Sequence, residues 1–505
     1  MATAKKYATL RAVKLVPGVQ ALAEFEHAYQ WDDFFENRPS TSDFFAKDVV
    51  PVDAFHCATA FHRWFEVMRR KPGTSPLVET NLDEFGQKSR WLAKIVQIAG
   101  YRVKLQLLST DPLAPVEFWV NFGSMDVLPV GYTSAHHNEE GNEMVLKPPD
   151  GSELLKLSEY EHLEEFMRLI IQSRSLPRDF NAFKVKTLTE RKFKVGDRLE
   201  VLNTSGSSEI RPAIVKSIVG RRIFLSLAFM DLNVAAARSE SDVQMRDGIY
   251  VDQNSPLIFP VGWAVEANFH LAANDCYVEH CQNILICKQN NLPPSYAEND
   301  ARPEQFERSA DCPIIKGGWK PGACLEFMDP LDGQFQSLRA GHVRRILHDG
   351  YLEIAFENSR KDIFPIHSTA TNLYRPGYAA KYGITLETST HKEDEIFEWK
   401  DYIRRMNMNV KRDMKLFIPD KTLFRPVPSH VSKLFKAGLK LEAADQVETR
   451  IICPASVKRV KGRLVHISFD GWEESFDQLY DFESPEIMPL GWNEMNGFYL
   501  HFPKS

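Results

Sequence analysis

The stretch Gly438-Leu439-Lys440-Leu441-Glu442-Ala443-Ala444-Asp445, followed some forty residues later by Met488-Pro489-Leu490-Gly491-Trp492, frames one unit of a pattern that runs through the chain. Its first half, an apolar residue and a glutamate, recurs as Leu77-Val78-Glu79, Arg198-Leu199-Glu200 and Cys324-Leu325-Glu326, at intervals of roughly 120 residues. Its second half is a turn built on proline, found again at Leu128-Pro129-Val130-Gly131-Tyr132 and Phe259-Pro260-Val261-Gly262-Trp263. The third copy of that turn is read at Phe364-Pro365-Ile366-His367. Self-similarity at a fixed period marks a repeat architecture, in which each copy is one folding unit.

Between the halves lie alternating apolar segments, Trp91 to Leu108, Ala213 to Leu227, Gly341 to Phe356 and Ile451 to Phe469. Alternation with period two predicts strands. Each segment is broken once, at Ala99-Gly100-Tyr101, Val219-Gly220-Arg221, His348-Asp349-Gly350 and Lys461-Gly462-Arg463, where glycine can take the positive φ of a hairpin turn. The expected fold is mainly β: four small antiparallel β-barrels, a form that closes its own edges. Outside the barrels, Trp31-Asp32-Asp33-Phe34-Phe35 and Trp399-Lys400-Asp401-Tyr402-Ile403 share one spacing, and Leu157 to Gln172 has helical periodicity, so each barrel is expected to carry a helical arm. Linkers are short, which predicts one compact assembly with repeats at 25–140, 141–275, 276–385 and 386–505.

Composition bounds the function. A chain of 505 residues, 43% hydrophobic, can bury several cores. With 62 basic against 68 acidic residues the net charge is −6, so a dominant phosphate-binding term is not expected and nucleic acid is at most a secondary partner. No apolar run is long enough for a membrane span, and no signal peptide is read at the start. Cys276, Cys281 and Cys287 lack the paired spacing of a zinc site and are expected to be reduced and mostly buried, with no metal and no cofactor. Histidines such as His136, His137 and His280 come without a nucleophile, phosphate loop or metal spacing, so the chain is not expected to be an enzyme.

The fourth unit resembles a malignant brain tumour (MBT) repeat, through Gly438 to Asp445, Ile452-Cys453, Phe469-Asp470-Gly471-Trp472, Phe476-Asp477 and Pro489-Leu490-Gly491-Trp492. The other units match more weakly, and the whole is similar to the four-repeat branch found in chromatin-associated repressors. The resemblance implies a nuclear reader of methylated lysine on a histone tail, of H3 or H4, that works with the proteins of a repressor complex. It also implies the site. Asp445 falls where the family places a carboxylate that accepts a hydrogen bond from mono- or dimethyl-lysine, and Cys453 falls where a small residue lines the wall.

The chemistry of the remaining residues fits that reading. Each methyl group on an ammonium removes a donor and spreads the charge over an apolar surface, which aromatic faces bind at about 0.5–2 kcal/mol per ring. Phe469, Trp472 and Phe476, spaced three and four apart around Asp470-Gly471, can converge as such a cage. Phe476 stands where the family more often has Tyr, which makes the pocket more apolar. Glu442 recurs in repeats without a cage and is read as structural. The first repeat has Asn81-Leu82 at the acid position, the second Asn203, and neither keeps the rings. The third keeps Asp329 and Phe356 and is read as a degenerate pocket. Two rival readings are an interaction scaffold with no open pocket and a nucleic-acid-binding barrel using Lys458-Arg459-Val460-Lys461-Gly462-Arg463.

Overall fold

The computed structural model describes residues 29, 31–37, 43, 45–55, 77–84, 87–107, 117–121, 128–129, 145–146, 191–202, 209–227, 248–306, 318–356, 363–388, 397–408 and 414–503. Four curled sheets of the same construction follow one another. In each, five antiparallel strands lie in the spatial order fourth, third, second, first, fifth. The first strands are Leu77–Glu84, Arg198–Leu202, Cys324–Phe327 and Lys440–Ala444, and the second strands are Gln87–Ala99, Ile210–Val219, Ser337–Ile346 and Ile452–Lys461. Each second strand carries a register shift at one equivalent place, between Ile95 and Gln97, Val215 and Ser217, Val343 and Arg345, and Val457 and Arg459. A bulge adds local twist, which is what curls so short a sheet. The expected glycine turns are present, with positive φ at Gly100, Gly220, Gly350 and Gly462.

The second, third and fourth barrels also close in the same way. Three residues after the two-residue fifth strand, a glycine of positive φ starts a one-turn helix. Such helices are Trp263–Ala267 (α2), Tyr378–Tyr382 (α4) and Trp492–Asn496 (α6), behind Gly262, Gly377 and Gly491. The chain then runs back parallel to the second strand, at Val145–Leu146, Leu271, Thr385–Glu387 and Leu500. This corrects the third repeat. Its closing turn is Tyr374-Arg375-Pro376-Gly377-Tyr378, with Leu373–Tyr374 paired to the first strand. Phe364-Pro365-Ile366-His367 instead lies in the fourth strand, Ile363–His367. The proline of the true turn has slipped one residue toward the glycine, and an unrelated Pro upstream imitated it.

The arms do not serve the barrels they precede. Helix α1 (Trp31–Glu36) leads into the first barrel, yet Trp31 Nε1 donates to Glu442 in the fourth, at 2.8 Å. Helix α5 (Trp399–Asn407) leads into the fourth barrel, and Trp399 Nε1 donates to Glu326 in the third, at 2.7 Å. Between them, α3 (Asp275–Gln289) leads into the third barrel and brings Tyr277 and Cys281 to Glu200 in the second. Every described arm thus seals the barrel behind it, and the first seals the last. The helix expected over Leu157 to Gln172 lies outside the described residues. Of the α3 cysteines, Cys281 is buried as expected, but Cys276 is exposed.

Hairpins complete the assembly. The turn of the third barrel packs on Trp263 of α2, with Tyr351 and His348 at ring distances of 5.0 and 5.4 Å. Gly462 of the fourth barrel sits against Tyr378 and Tyr382 of α4, and Gly220 of the second sits against Trp492 and Asn496 of α6. Barrels two, three and four therefore form a closed ring through one repeated contact. The first barrel joins beside it, where Tyr101 N donates to Leu490 O and the buried Arg102 pairs with Glu494.

In the second, third and fourth units the recurring glutamate is the joint. Glu200, Glu326 and Glu442 are fully buried, and each accepts two backbone N–H groups from the closing turn: Gly262 and Ala264, Gly377 and Ala379, Gly491 and Asn493. Burial, opposed by these donors, pushes Glu200 up to about 7 and Glu442 up to about 8 from an ordinary carboxylate value of 4.5. A carboxyl that holds its proton more tightly when folded stabilises most below its unfolded pKa, and that contribution is lost as pH rises through the folded value. The melting temperature of Glu442→Gln, which cannot titrate there, is therefore expected to fall less than that of wild type between pH 6 and 8.5. Parallel slopes would show that Glu442 is ionised throughout.

Candidate functional site

The fourth barrel gathers the expected residues along the edge of its first three strands. Ala443 pairs with Cys453, so Cys453 lies beside the strand end from which Asp445 emerges. Asp445 closes a tight loop: its N–H donates to Ile451 O at 3.0 Å, and its Oδ1 accepts from Val447 N and Glu448 N at 2.7 and 3.1 Å. Gln478 Nε2 adds a third donor to the same oxygen at 2.9 Å. Gln478 is itself fixed, because its Oε1 accepts from Tyr480 OH and Gln446 N. No described residue donates to Asp445 Oδ2. One carboxylate oxygen thus takes all three of the bonds that hold the loop.

Cys453 is buried, and its thiol is pushed up by burial and by the charges of Asp445 and Asp470, with Trp472 beside it. It marks the point where acid and ring meet. Trp472 is half-buried and Phe476 is 48% exposed, with ring centroids 5.4 Å apart and planes at 68°. Phe469 is deeper, 3% exposed in the core cluster against which Trp472 packs. The structure therefore brings Asp445, Cys453 and Trp472 together, stands Phe476 at the outer edge, and sets Phe469 beneath.

The second barrel steadies this site. Arg222 of the second barrel donates to Thr449 O at 2.8 Å, and Tyr250 N donates to Thr449 Oγ1 at 2.9 Å, both within the Asp445–Ile451 loop. Three supports escaped the sequence reading: these two residues and Gln478. Sequence spacing carries no trace of the first two, because they come from another repeat.

Strand register lets the four barrels be compared position by position. Trp91, Arg211, Arg339 and Cys453 are equivalent, each opposite the residue after the recurring glutamate. The residues at the Phe469 position are Leu107 and Phe356, and extending the second barrel's register by one residue beyond the Ile214–Ser226 pair places Leu227 there. In the third barrel, Asp329 Oδ1 accepts from Leu331 N at 2.8 Å, just as Asp445 Oδ1 accepts from Val447 N. Its second oxygen, however, takes Arg339 Nη1 at 2.5 Å, and the Arg339 guanidinium carbon lies 5.1 Å over the Phe356 ring. The chain's own cation thus stands between this acid and this ring.

The mbt repeat family matches residues 81–153, 197–277 and 439–505. Among curated proteins, lin-61 of Caenorhabditis elegans is 34% identical over 431 residues, covering 82% of this chain and 67% of its own length. MBT domain-containing protein 1 of Homo sapiens is 28% identical over 462 residues, covering 90% of this chain and 65% of its own. The chain thus spans about two thirds of these relatives. Among solved structures, the four MBT repeats of Drosophila melanogaster Sfmbt, in complex with the peptide RHR(me)KVLR, align over 95% of this chain and all of that one, with TM-score 0.70 and 25% identity. Four like barrels, three of them sealed by a described arm from elsewhere in the chain, with an acid and rings gathered on one of them, define a binding module of the repeat class. The chain belongs to the MBT repeat family, and its architecture is that of four MBT repeats.

Proposed function

We propose that this chain is a nuclear reader of methylated lysine on a histone tail, acting in chromatin-based repression without catalysis, and that the fourth barrel holds the ligand through Asp445, Cys453, Phe469, Trp472 and Phe476. The observation that carries the reading is the free Oδ2 of Asp445 beside the Cys453 and Trp472 wall. A mono- or dimethylammonium keeps an N–H for that oxygen, while its methyl groups lie on the rings. The peptide held by the Sfmbt structure is of the right kind. Within this chain, Arg339 occupies the equivalent place in the third barrel, a cation between an acid and a ring. The nucleic-acid reading finds less support: in the basic hairpin, Lys458 pairs with Asp477 at 2.7 Å, and the buried Arg463 pairs with Asp481 and Glu483.

Peptides carrying unmodified, mono-, di- and trimethylated lysine, titrated against wild type and Trp472→Ala, test the reading. Wild type is expected to bind the methylated peptides over the unmodified one, and the variant to lose about tenfold or more, the worth of a ring on a desolvated cation. Its melting temperature is expected to stay near that of wild type, because Trp472 is only half-buried. A large drop in melting alongside lost binding would make Trp472 a core residue and remove the site.

A further inference from the structure

Only the third barrel, besides the fourth, keeps both an acid and a ring at the register positions of the candidate pocket. Asp329 is buried and its loop is tied as the Asp445 loop is tied. The difference is the wall. Where the fourth barrel has the small Cys453, the third has Arg339, whose guanidinium lies over Phe356 and donates to the Asp329 oxygen whose counterpart is free in Asp445. Arg339 Nε also donates to Glu387 at 3.1 Å, in the strand running toward the fourth arm, and Ser337 Oγ bonds the other Glu387 oxygen. The Arg339 side chain remains 26% exposed, so the place it fills opens to solvent. The second barrel differs again: its Arg211 pairs with Glu209, and Leu227 stands at the ring position.

We propose that the third barrel holds a second methylammonium site, of the same acid-and-ring construction as the fourth, which Arg339 keeps filled. The residue at this one strand position then decides which barrels of this chain accept a ligand. An arginine there satisfies Asp329 and covers Phe356, so a methylated lysine finds neither. A small residue leaves both free, with Glu387 at the mouth as a further attraction for a cation. The proposal rests on the methylammonium reading of the fourth pocket for its ligand class, although its geometry is that of the third barrel alone.

The test uses the full chain and free Nε-dimethyl-lysine, read by saturation transfer from protein to the ligand's N-methyl protons. A parent blinded in the fourth pocket by Asp445→Asn and Trp472→Ala should give little transfer. Adding Arg339→Cys should raise it several-fold, and adding Asp329→Asn to that chain should abolish the gain. A folded Arg339→Cys chain with no gain would overturn the proposal. Should Arg339→Cys not fold, the reciprocal exchange decides. Cys453→Arg is expected to lose dimethyl-lysine while keeping the wild-type melting temperature, because the new guanidinium can reach Asp445 and a ring. A marked loss of stability, as for an unpaired buried charge, would count against the shared construction. The two readings fail separately: transfer in wild type but none in the folded Arg339→Cys chain sinks only the second site. The opposite pattern sinks only the fourth-barrel reader.

Discussion

Exchanging Asp445 for Asn is expected to weaken mono- and dimethyl-lysine peptides by about ten- to a hundredfold and trimethylated peptides by less, since a charge-assisted hydrogen bond is worth about 1.5–3 kcal/mol. Geometry makes Asn the right exchange. Asp445 Oδ1 holds Val447, Glu448 and Gln478, so Asp445→Ala would dismantle the loop as well as the charge. Asparagine keeps that oxygen and places an NH2 group where the free oxygen was. A ligand N–H then meets a donor, whereas a trimethylated ligand has no N–H to lose and forfeits only charge attraction. Calorimetric titration of the four peptides measures this. Equal affinities for wild type and Asp445→Asn in every methylation state would put the pocket elsewhere.

A second large effect is expected on stability. Glu442→Ala should leave Trp31 Nε1, Gly491 N and Asn493 N without their acceptor, at about 1–3 kcal/mol for each buried orphan. A cavity adds to that cost. The loss should not be uniform. Hydrogen exchange is expected to speed up in the first arm, residues 31–36, and around Gly491, whereas strands of the second and third barrels keep their protection. Unchanged exchange in the first arm would mean that Trp31 is held by packing alone.

Much of this was legible in the sequence, and for a physical reason. Hairpin glycines, alternating strands and the Trp-led arms at 31 and 399 are local patterns, and local patterns survive the loss of three-dimensional context. The helix α3 shows the limit. Its buried residues Tyr277, Cys281 and Ile284 keep helical spacing, but Ile286 on another face is exposed, which blurs the stripe. In the fourth barrel the three rings came from their spacing, and Asp445 and Cys453 from a family resemblance, which names positions without saying how Asp445 divides its two oxygens. Two features needed the strand register or the fold itself. Arg339 reads as an ordinary surface arginine until Phe327 is paired with it and Phe356 is seen beneath it. That Trp31 belongs to Glu442 could not be read from neighbours at all, at a sequence separation of 411.

That separation bears on how the chain is made. Synthesis runs from the first residues to the last, so the α1 arm leaves the ribosome long before the barrel it seals. Domains fold as they emerge, and the second and third barrels can each be capped by an arm translated soon afterward. The fourth recruits an arm whose Trp31 was translated 411 residues before Glu442. Bringing such distant segments together costs little more than a moderate loop, because closure entropy grows only logarithmically with length, but contacts of high sequence separation form slowly. The barrel with the candidate pocket is therefore finished last, and a nascent chain stalled before Glu442 leaves Trp31 with no acceptor there.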